Sequence, residues 1–282
     1  MGAGAGRGAR GRLGVALGTV PRVPDHAEPP VIYDHVIWIV MENHSYDQII
    51  GSSDAPYLNK LAGEFGLATN FYVEGHPSLP NYIAMTSGST QGIGDDNPPA
   101  DHPLDVPSIF SLLPGGASRS LEESMPANCQ QTDSGEYAVR HNPQAYYTNL
   151  GPDCAAYNVP LADPPNLTAR FTFITPNLIH DMHDGTVADG DTWLSTFMPK
   201  VLASAEYTAG RAAVFITWDE DDDLSGNHVA TLVIAPSVAP GTRVAQRLDH
   251  YAMLLATQEM LNLTPLLGDA ATANDLRAAF NV

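Results

Sequence analysis

Apolar and polar positions fall into two kinds of block along the chain. His35 to Val40 (HVIWIV), Arg170 to Thr175 (RFTFIT), Ala212 to Trp218 (AAVFITW) and Val229 to Ala235 are short apolar runs, the pattern of strands buried on both faces. A further strand is expected from about Ala68 to Val73. Between these runs the spacing becomes helical: Leu58, Leu61 and Phe65 within Ala55 to Phe65, then Trp193, Leu194, Phe197, Val201 and Leu202 within Asp191 to Ala203. Later helices are expected from about Asp249 to Leu261 and near Ala273 to Phe280. Proline suits a first helical turn, so His76-Pro77-Ser78-Leu79-Pro80-Asn81 sets Ser78 at or beside a helix N-terminus. Residues 91–168 hold most of the prolines and both cysteines, and only short elements such as Ser108 to Leu113 are expected there. Strands alternating with helices predict an α/β fold, a three-layer α/β/α sandwich around a mostly parallel central sheet. With no internal repeat and no later linker, residues 31–282 are expected to form one domain.

Charge changes the picture. Of 282 residues, 13 are Lys or Arg and 32 are Asp or Glu, a net charge of -19. That balance argues against nucleic acid as a partner, because counterion release needs a basic footprint. It also argues against docking on anionic lipid by charge alone. No apolar run approaches the roughly 18 residues of a transmembrane helix. Residues 1–30 differ: Arg7, Arg10, Arg12 and Arg22 precede any acid, amid Gly and Ala. They read as a disordered arm or a degenerate export signal, since Leu13 to Val20 is a short, glycine-interrupted apolar core. Cys129 and Cys154, 25 apart in a loop-like stretch, fit a single disulfide and an oxidising compartment; two free thiols are the alternative.

Ligands of such folds bind beyond the carboxyl ends of the strands, and four strand ends here carry chemistry. The first delivers Glu42 and Asn43, the second His76, Ser78 and Asn81, the third His180, Asp181, His183 and Asp184, and the fourth Asp219 to Asp223. Each alone has a plain reading as an exposed turn or a satisfied histidine; their convergence on one edge does not. Asp219 and Glu220, first after a buried strand, are the expected ligands of the acid run, and Asp221 to Asp223 are expected to face solvent. The Gly-x-Ser-x-Gly elbow, the Walker loop, His-Glu-x-x-His and the cysteine-phosphatase loop are all absent. An oxygen nucleophile therefore remains: Ser78, activated by a divalent metal ion and a helix N-terminus, either of which also favours an incoming phosphate.

Four strings in order carry a resemblance: Glu42-Asn43-His44-Ser45-Tyr46-Asp47, His76-Pro77-Ser78-Leu79-Pro80-Asn81-Tyr82, Asp181-Met182-His183-Asp184-Gly185 and Trp218-Asp219-Glu220-Asp221-Asp222. From about Val31 to Leu263 the chain resembles the bacterial phosphoesterase family of acid phosphatases and phospholipases C, in the alkaline-phosphatase-like superfamily. It most resembles secreted acid phosphatases of the mycobacterial type, which act on phosphomonoesters including phosphatidylinositol 3-phosphate. The resemblance implies Ser78 as nucleophile, Asn81 as a contact to a non-bridging phosphate oxygen, and Glu42, Asn43, Asp219 and Glu220 as metal ligands with Asp181 beside them. It makes His183 a site histidine, His76 a candidate proton donor to the leaving group, and Arg140 with His141 a substrate-binding element at the pocket mouth. It also implies a secreted or extracytoplasmic location.

The expected reaction is double displacement on a phosphomonoester or phosphoinositide: Ser78 attacks phosphorus, a phosphoserine forms, and water releases phosphate. A phospholipase C-type diesterase is the nearer alternative. The larger phospholipases C have Asp-Glu-His-Gly-Gly where this chain has Asp219-Glu220-Asp221-Asp222-Asp223, which weakens it; His228 is a candidate substitute for their histidine. The farther alternative is a non-enzymatic calcium-binding protein, although Leu224 and Ala230 stand where an EF-hand loop begun at Asp219 needs Gly and Glu.

Overall fold

A computed structural model describes residue 1 and residues 28–30 and 32–282. The expected N-terminal arm or export signal over 1–30 lies outside the described residues, apart from Met1 and its last three positions. In chain order the elements are β1 (His35–Met41), α1 (Tyr46–Ile49), α2 (Pro56–Glu64), β2 (Gly66–Tyr72), α3 (Ser78–Ser87), β3 (Ser118–Glu122), α4 (Pro152–Tyr157) and β4 (Asn158–Pro160). They continue with β5 (Phe171–Thr175), α5 (Val187–Leu202), α6 (Ala205–Thr208), β6 (Ala212–Trp218), β7 (His228–Ile234), β8 (Arg243–Val244), β9 (Leu248–Asp249), α7 (His250–Met260) and α8 (Leu276–Phe280).

The strands form one nine-stranded sheet in the order β4-β3-β5-β1-β6-β7-β2-β8, with β9 also on β2. Among the described residues, only β7 runs antiparallel to its neighbours. The sheet is thus mostly parallel, and helices pack over it in pairs, α3 with α7 and α2 with α5, completing the α/β/α sandwich. The apolar runs explain the centre: β1 and β6 pair over seven residues from His35–Ala212 to Met41–Trp218, and nearly every side chain in them is buried. Trp38 lies edge-on to Phe171, 4.9 Å between centroids, and donates its indole hydrogen to Thr257 on α7. Burying such rings stabilises by about 1.5–3 kcal/mol each.

Two features depart from the sequence reading. Ser108 to Leu113 forms turns, while the polar string Ser118–Glu122 is a strand lying between β4 and β5. Its buried polar groups are paired inside: Ser118 donates to the Leu113 carbonyl and Ser120 to Glu122 Oε1 at 2.6 Å. The expected disulfide is present between Cys129 and Cys154. Among the described residues no helix is long and apolar enough to cross a membrane.

Candidate active site

Three adjacent strands, β5, β1 and β6, end side by side. The ladder runs on past their ends: the Asp219 amide donates to the Met41 carbonyl at 3.0 Å and the Glu42 amide to the Asp181 carbonyl at 2.8 Å. Backbone geometry therefore brings Glu42, Asp181 and Asp219 together, and all three are fully buried.

Ser78 arrives from the other side as the first residue of α3 and is 2% exposed. Its hydroxyl lies within donating distance of Glu42 Oε2 (3.3 Å) and Glu220 Oε1 (3.4 Å). Tyr82, four residues on and so on the same helix face, donates its phenol to Glu42 Oε1 in a short hydrogen bond. Asn81 uses its carboxamide on the turn before the helix: it accepts from the Gly75 amide and donates to the carbonyls of Gly75 and Pro77. The Leu79 amide donates to Asp96, so this helix-terminal donor already has a partner.

The loop from Asn177 to Thr186 carries Asp181 and His183. Met182 between them has φ 86°, a left-handed conformation unfavourable for a long side chain, and is held there by burial against Gly190. A Cβ at Gly185 would fall 2.0 Å from the Ile179 carbonyl oxygen, so only glycine closes the loop. Within it the Asp181 carboxylate accepts from the His183 amide at 2.7 Å.

His183 faces Arg140, 3.1 Å from its Nε2, and Asp184, 2.7 Å from its Nδ1. A guanidinium only donates, so His183 Nε2 accepts and Nδ1 donates to Asp184. His141, only 2% exposed, stacks on Tyr82 with centroids 5.4 Å apart. Its ring lies between Glu42 Oε2 and Asp181 Oδ2, 3.3 Å from each, yet neither approach has hydrogen-bond geometry, and Nε2 and Oδ2 are buried without partners. His141 thus sits inside the acid cluster, deeper than a pocket mouth, where Glu42, His141 and Asp181 offer ligand atoms within 4.8 Å of one another.

His76 spans the gap to the acid run. Its Nε2 is 2.9 Å from both Asp221 Oδ1 and Asn227 Oδ1, and its Nδ1 is 2.9 Å from Glu220 Oε2. Glu220 Oε2 nevertheless has no hydrogen bond of good geometry, so the Asp221 contact is the firmer one. Asp221 corrects the expectation that it faces solvent: it is 2% exposed, because its carboxylate accepts from the amides of Asp223, Ser225 and Asn227 and closes the loop over itself. His228 is no substitute ligand; it is stacked between Tyr46 and Tyr72, with Nε2 on the Thr69 carbonyl.

The electrostatics arise from burying so many acids together. Glu42 and Asp181 are pushed well above the usual carboxylate range, chiefly by burial, with the Asp219 charge adding to it. Burial raises Asp219 to about 6, and burial with the Asp219 charge raises Glu220 to about 9. Burial, then the nearby Arg140 charge, pushes His141 well below 6.5, so its imidazole is neutral. Tyr82, Asp221 and the tie of His76 to Asp221 were not anticipated as site features. The Ser78–Tyr82 spacing on one helix face was the available signal for the tyrosine.

A family model described as the Phosphoesterase family matches residues 52–264. A phosphatidylinositol-3-phosphatase of Mycobacterium tuberculosis is 31% identical over 262 residues, spanning 91% of this chain and 86% of that protein. An acid phosphatase of Aspergillus fumigatus is 26% identical over 263 residues, and the matched region covers 84% of this chain but 57% of that protein. Among solved structures, an alkaline phosphatase superfamily protein from Vibrio parahaemolyticus superposes with a TM-score of 0.58 at 13% identity, covering 91% of this chain and 74% of that one. At that identity the likeness is one of fold.

Proposed function

We infer that this chain, which belongs to the Phosphoesterase family, is a phosphoric-ester hydrolase of the acid phosphatase type that attacks phosphomonoesters with Ser78. The observation carrying the reading is a buried serine hydroxyl at a helix start, within 3.4 Å of carboxylates from two different strand ends. The similarity to a phosphatidylinositol-3-phosphatase supports a phosphoinositide as one substrate.

The residues fit a divalent cation. Four buried carboxylates without a cation among them are costly to keep ionised. Asp219 Oδ2 is buried and unpartnered, and the Asn43 carboxamide lies 3.0 Å from Glu42 Oε2 and 3.2 Å from Glu220 Oε1. Glu42, Asn43, Asp219 and Glu220 would hold the ion, with Asp181 and His141 next to Glu42. A bound cation supplies positive charge that favours the serine alkoxide and offsets the phosphoryl oxygens.

The chain's own groups do the rest. Ser78 Oγ bonds to phosphorus as the ester oxygen departs, and the proton the serine loses is matched by the one the departing oxygen gains to leave as the alcohol. Arg140 is the donor for the phosphoryl oxygens, and His183, whose Nε2 accepts from it, holds it in place. Asn81 steadies the turn before Ser78, and its Nδ2, 3.2 Å from the Pro77 carbonyl, is the atom to turn toward a non-bridging oxygen. His76, tied to Asp221, aligns the acid loop with the nucleophile and is within reach of the departing oxygen. Water then cleaves the phosphoserine and returns the serine proton. Residues 31–282 act as one catalytic domain, and the Cys129–Cys154 disulfide supports an extracytoplasmic setting.

The test is Ser78→Ala assayed on p-nitrophenyl phosphate, phosphatidylinositol 3-phosphate and a phosphodiester. Turnover of the monoesters by wild type and its loss in a folded variant is the expected result. Retained turnover would remove Ser78 from the reaction.

A further inference from the structure

β2 and β6 are not neighbours in the sheet, because β7 lies between them. The segment bearing Ser78 continues from β2, and the one bearing Asp219 and Glu220 continues from β6. Backbone ladders tie them only through β7, and side chains add the direct links. His76, a quarter exposed, is one bridge. The other is His250, which is completely buried.

His250 is the first residue of α7 and lies edge-on to Phe71, 5.6 Å between centroids. Its Nδ1 is 2.6 Å from Glu74 Oε2, and its Nε2 is 3.0 Å from the Trp218 carbonyl oxygen. Glu74 stands four residues before Ser78, and Trp218 immediately precedes Asp219. A carbonyl oxygen only accepts, so Nε2 carries a hydrogen, and the Glu74 carboxylate takes a second from Nδ1. The ring is therefore an imidazolium.

Two local effects oppose that charge. Burial disfavours it, and a cation in the first turn of a helix faces the positive end of the dipole. Burial, the largest influence, does pull the His250 pKa down. The Glu74 charge, the hydrogen bonds to Glu74 and Trp218 and the Asp219 charge outweigh it and raise the pKa overall. The groups facing the ring are Glu74, the Trp218 carbonyl, Asp219 and Phe71, with Asp249 and Tyr251 adjacent on its own element. A fully buried ring that links the two halves of a site marks a functional position.

We propose that the buried His250–Glu74 ion pair is a positioning element of the reaction centre, fixing Ser78 against Asp219 and Glu220. Resting on the phosphomonoesterase reading, it governs the chemical step more than substrate binding. The experiment uses the full chain with Glu74→Gln, which keeps size and an acceptor but removes the charge, and His250→Asn. On p-nitrophenyl phosphate, kcat is expected to fall about tenfold or more, the usual effect of removing a group that orients a ligand residue, with KM changed less than about twofold. Circular dichroism and Tm report the folded fraction, and Glu74→Gln alone decides the matter if His250→Asn does not fold.

Ring nitrogen NMR gives a readout independent of turnover. At a fixed pH the His250 Nδ1 resonance should carry the signature of its hydrogen bond to Glu74 in the wild type and lose it in Glu74→Gln. An unchanged kcat in a folded Glu74→Gln, a kcat loss that only tracks the folded fraction, or an Nδ1 resonance unmoved by Glu74→Gln overturns the proposal. A wild type inert on every monoester overturns the phosphatase reading instead, while the Nδ1 resonance still tests the pair.

Discussion

Tyr82 and Ser78 share one carboxylate: the phenol donates to Glu42 Oε1 while the serine hydroxyl lies 3.3 Å from Oε2. The tyrosine thereby holds Glu42 in orientation and favours its charged form, against the burial that raises its pKa. Tyr82→Phe should leave a buried carboxylate oxygen without a donor, costing about 1–3 kcal/mol of stability, and should lower kcat. Urea titration and steady-state kinetics on a soluble monoester check both.

Asp221 and Asp222 should behave differently despite being neighbours in the acid run. Asp221 accepts three backbone amides and faces His76, whereas Asp222 is only partly buried. Asp221→Ala is expected to lose about 2 kcal/mol or more together with activity. Asp222→Ala should stay within about 0.5 kcal/mol of wild type. Equal effects in paired thermal melts would mean the loop is not closed as described.

Gly185 and Gly63 make a contrasting pair. A methyl group at Gly185 would meet the Ile179 carbonyl at 2.0 Å, while nothing lies within 4 Å of one at Gly63. Gly185→Ala should destabilise by about 1–3 kcal/mol and misplace Asp181 and His183. Gly63→Ala, on the exposed face of α2, should stabilise by about 0.5–1 kcal/mol. Denaturant midpoints measured side by side decide it.

Stability should depend on pH through Glu122, which lies away from the site acids. Burial raises its pKa from 4.5 to about 8, with Ser120 and Thr175 hydrogen bonds partly offsetting the shift. The folded state therefore keeps a proton that the unfolded chain has lost. This stabilisation is fully present below 4.5 and disappears as pH rises toward about 8, with a slope of about 1.4 kcal/mol per pH unit. Glu122→Gln should flatten that part of the profile, and identical profiles for the two proteins would contradict it.

A divalent cation should raise Tm, because a ligand bound only to the folded state stabilises it by about 2.7 kcal/mol at a hundredfold excess over Kd. Asp219→Asn should abolish most of the rise. Calorimetry with and without chelator measures it.

Legibility in the sequence was set by burial on both faces. β1, β5, β6 and β7 are uninterrupted apolar runs, and the polar residues just beyond strand ends could be assigned to one edge of the sheet. β3 escaped notice because its inward positions are Ser118, Ser120 and Glu122, satisfied by bonds that no periodicity reveals. The residues of the cluster were visible, but their depth was not. Asp221 looks like solvated surface until residues 223–227 fold back on it. His141 looks like a rim residue until its ring is found between Glu42 and Asp181. His250 reads as an ordinary helix-start histidine, because its importance lies in bridging two strands that do not touch.

The reversal of β7 has a further consequence. With β6 it forms a hairpin, so Asp219, Glu220 and Asp221 sit on a connection that leaves the sheet and returns to the same edge next to Tyr72. Every other strand end at the centre must send its chain across a face of the sheet, where loop length is bound to helix packing. The 219–227 connection is free of that bond. Its exposed tip, the side chains of residues 223–226, can therefore be exchanged without moving a helix, while Asp219, Glu220 and Asp221 hold the site beneath it.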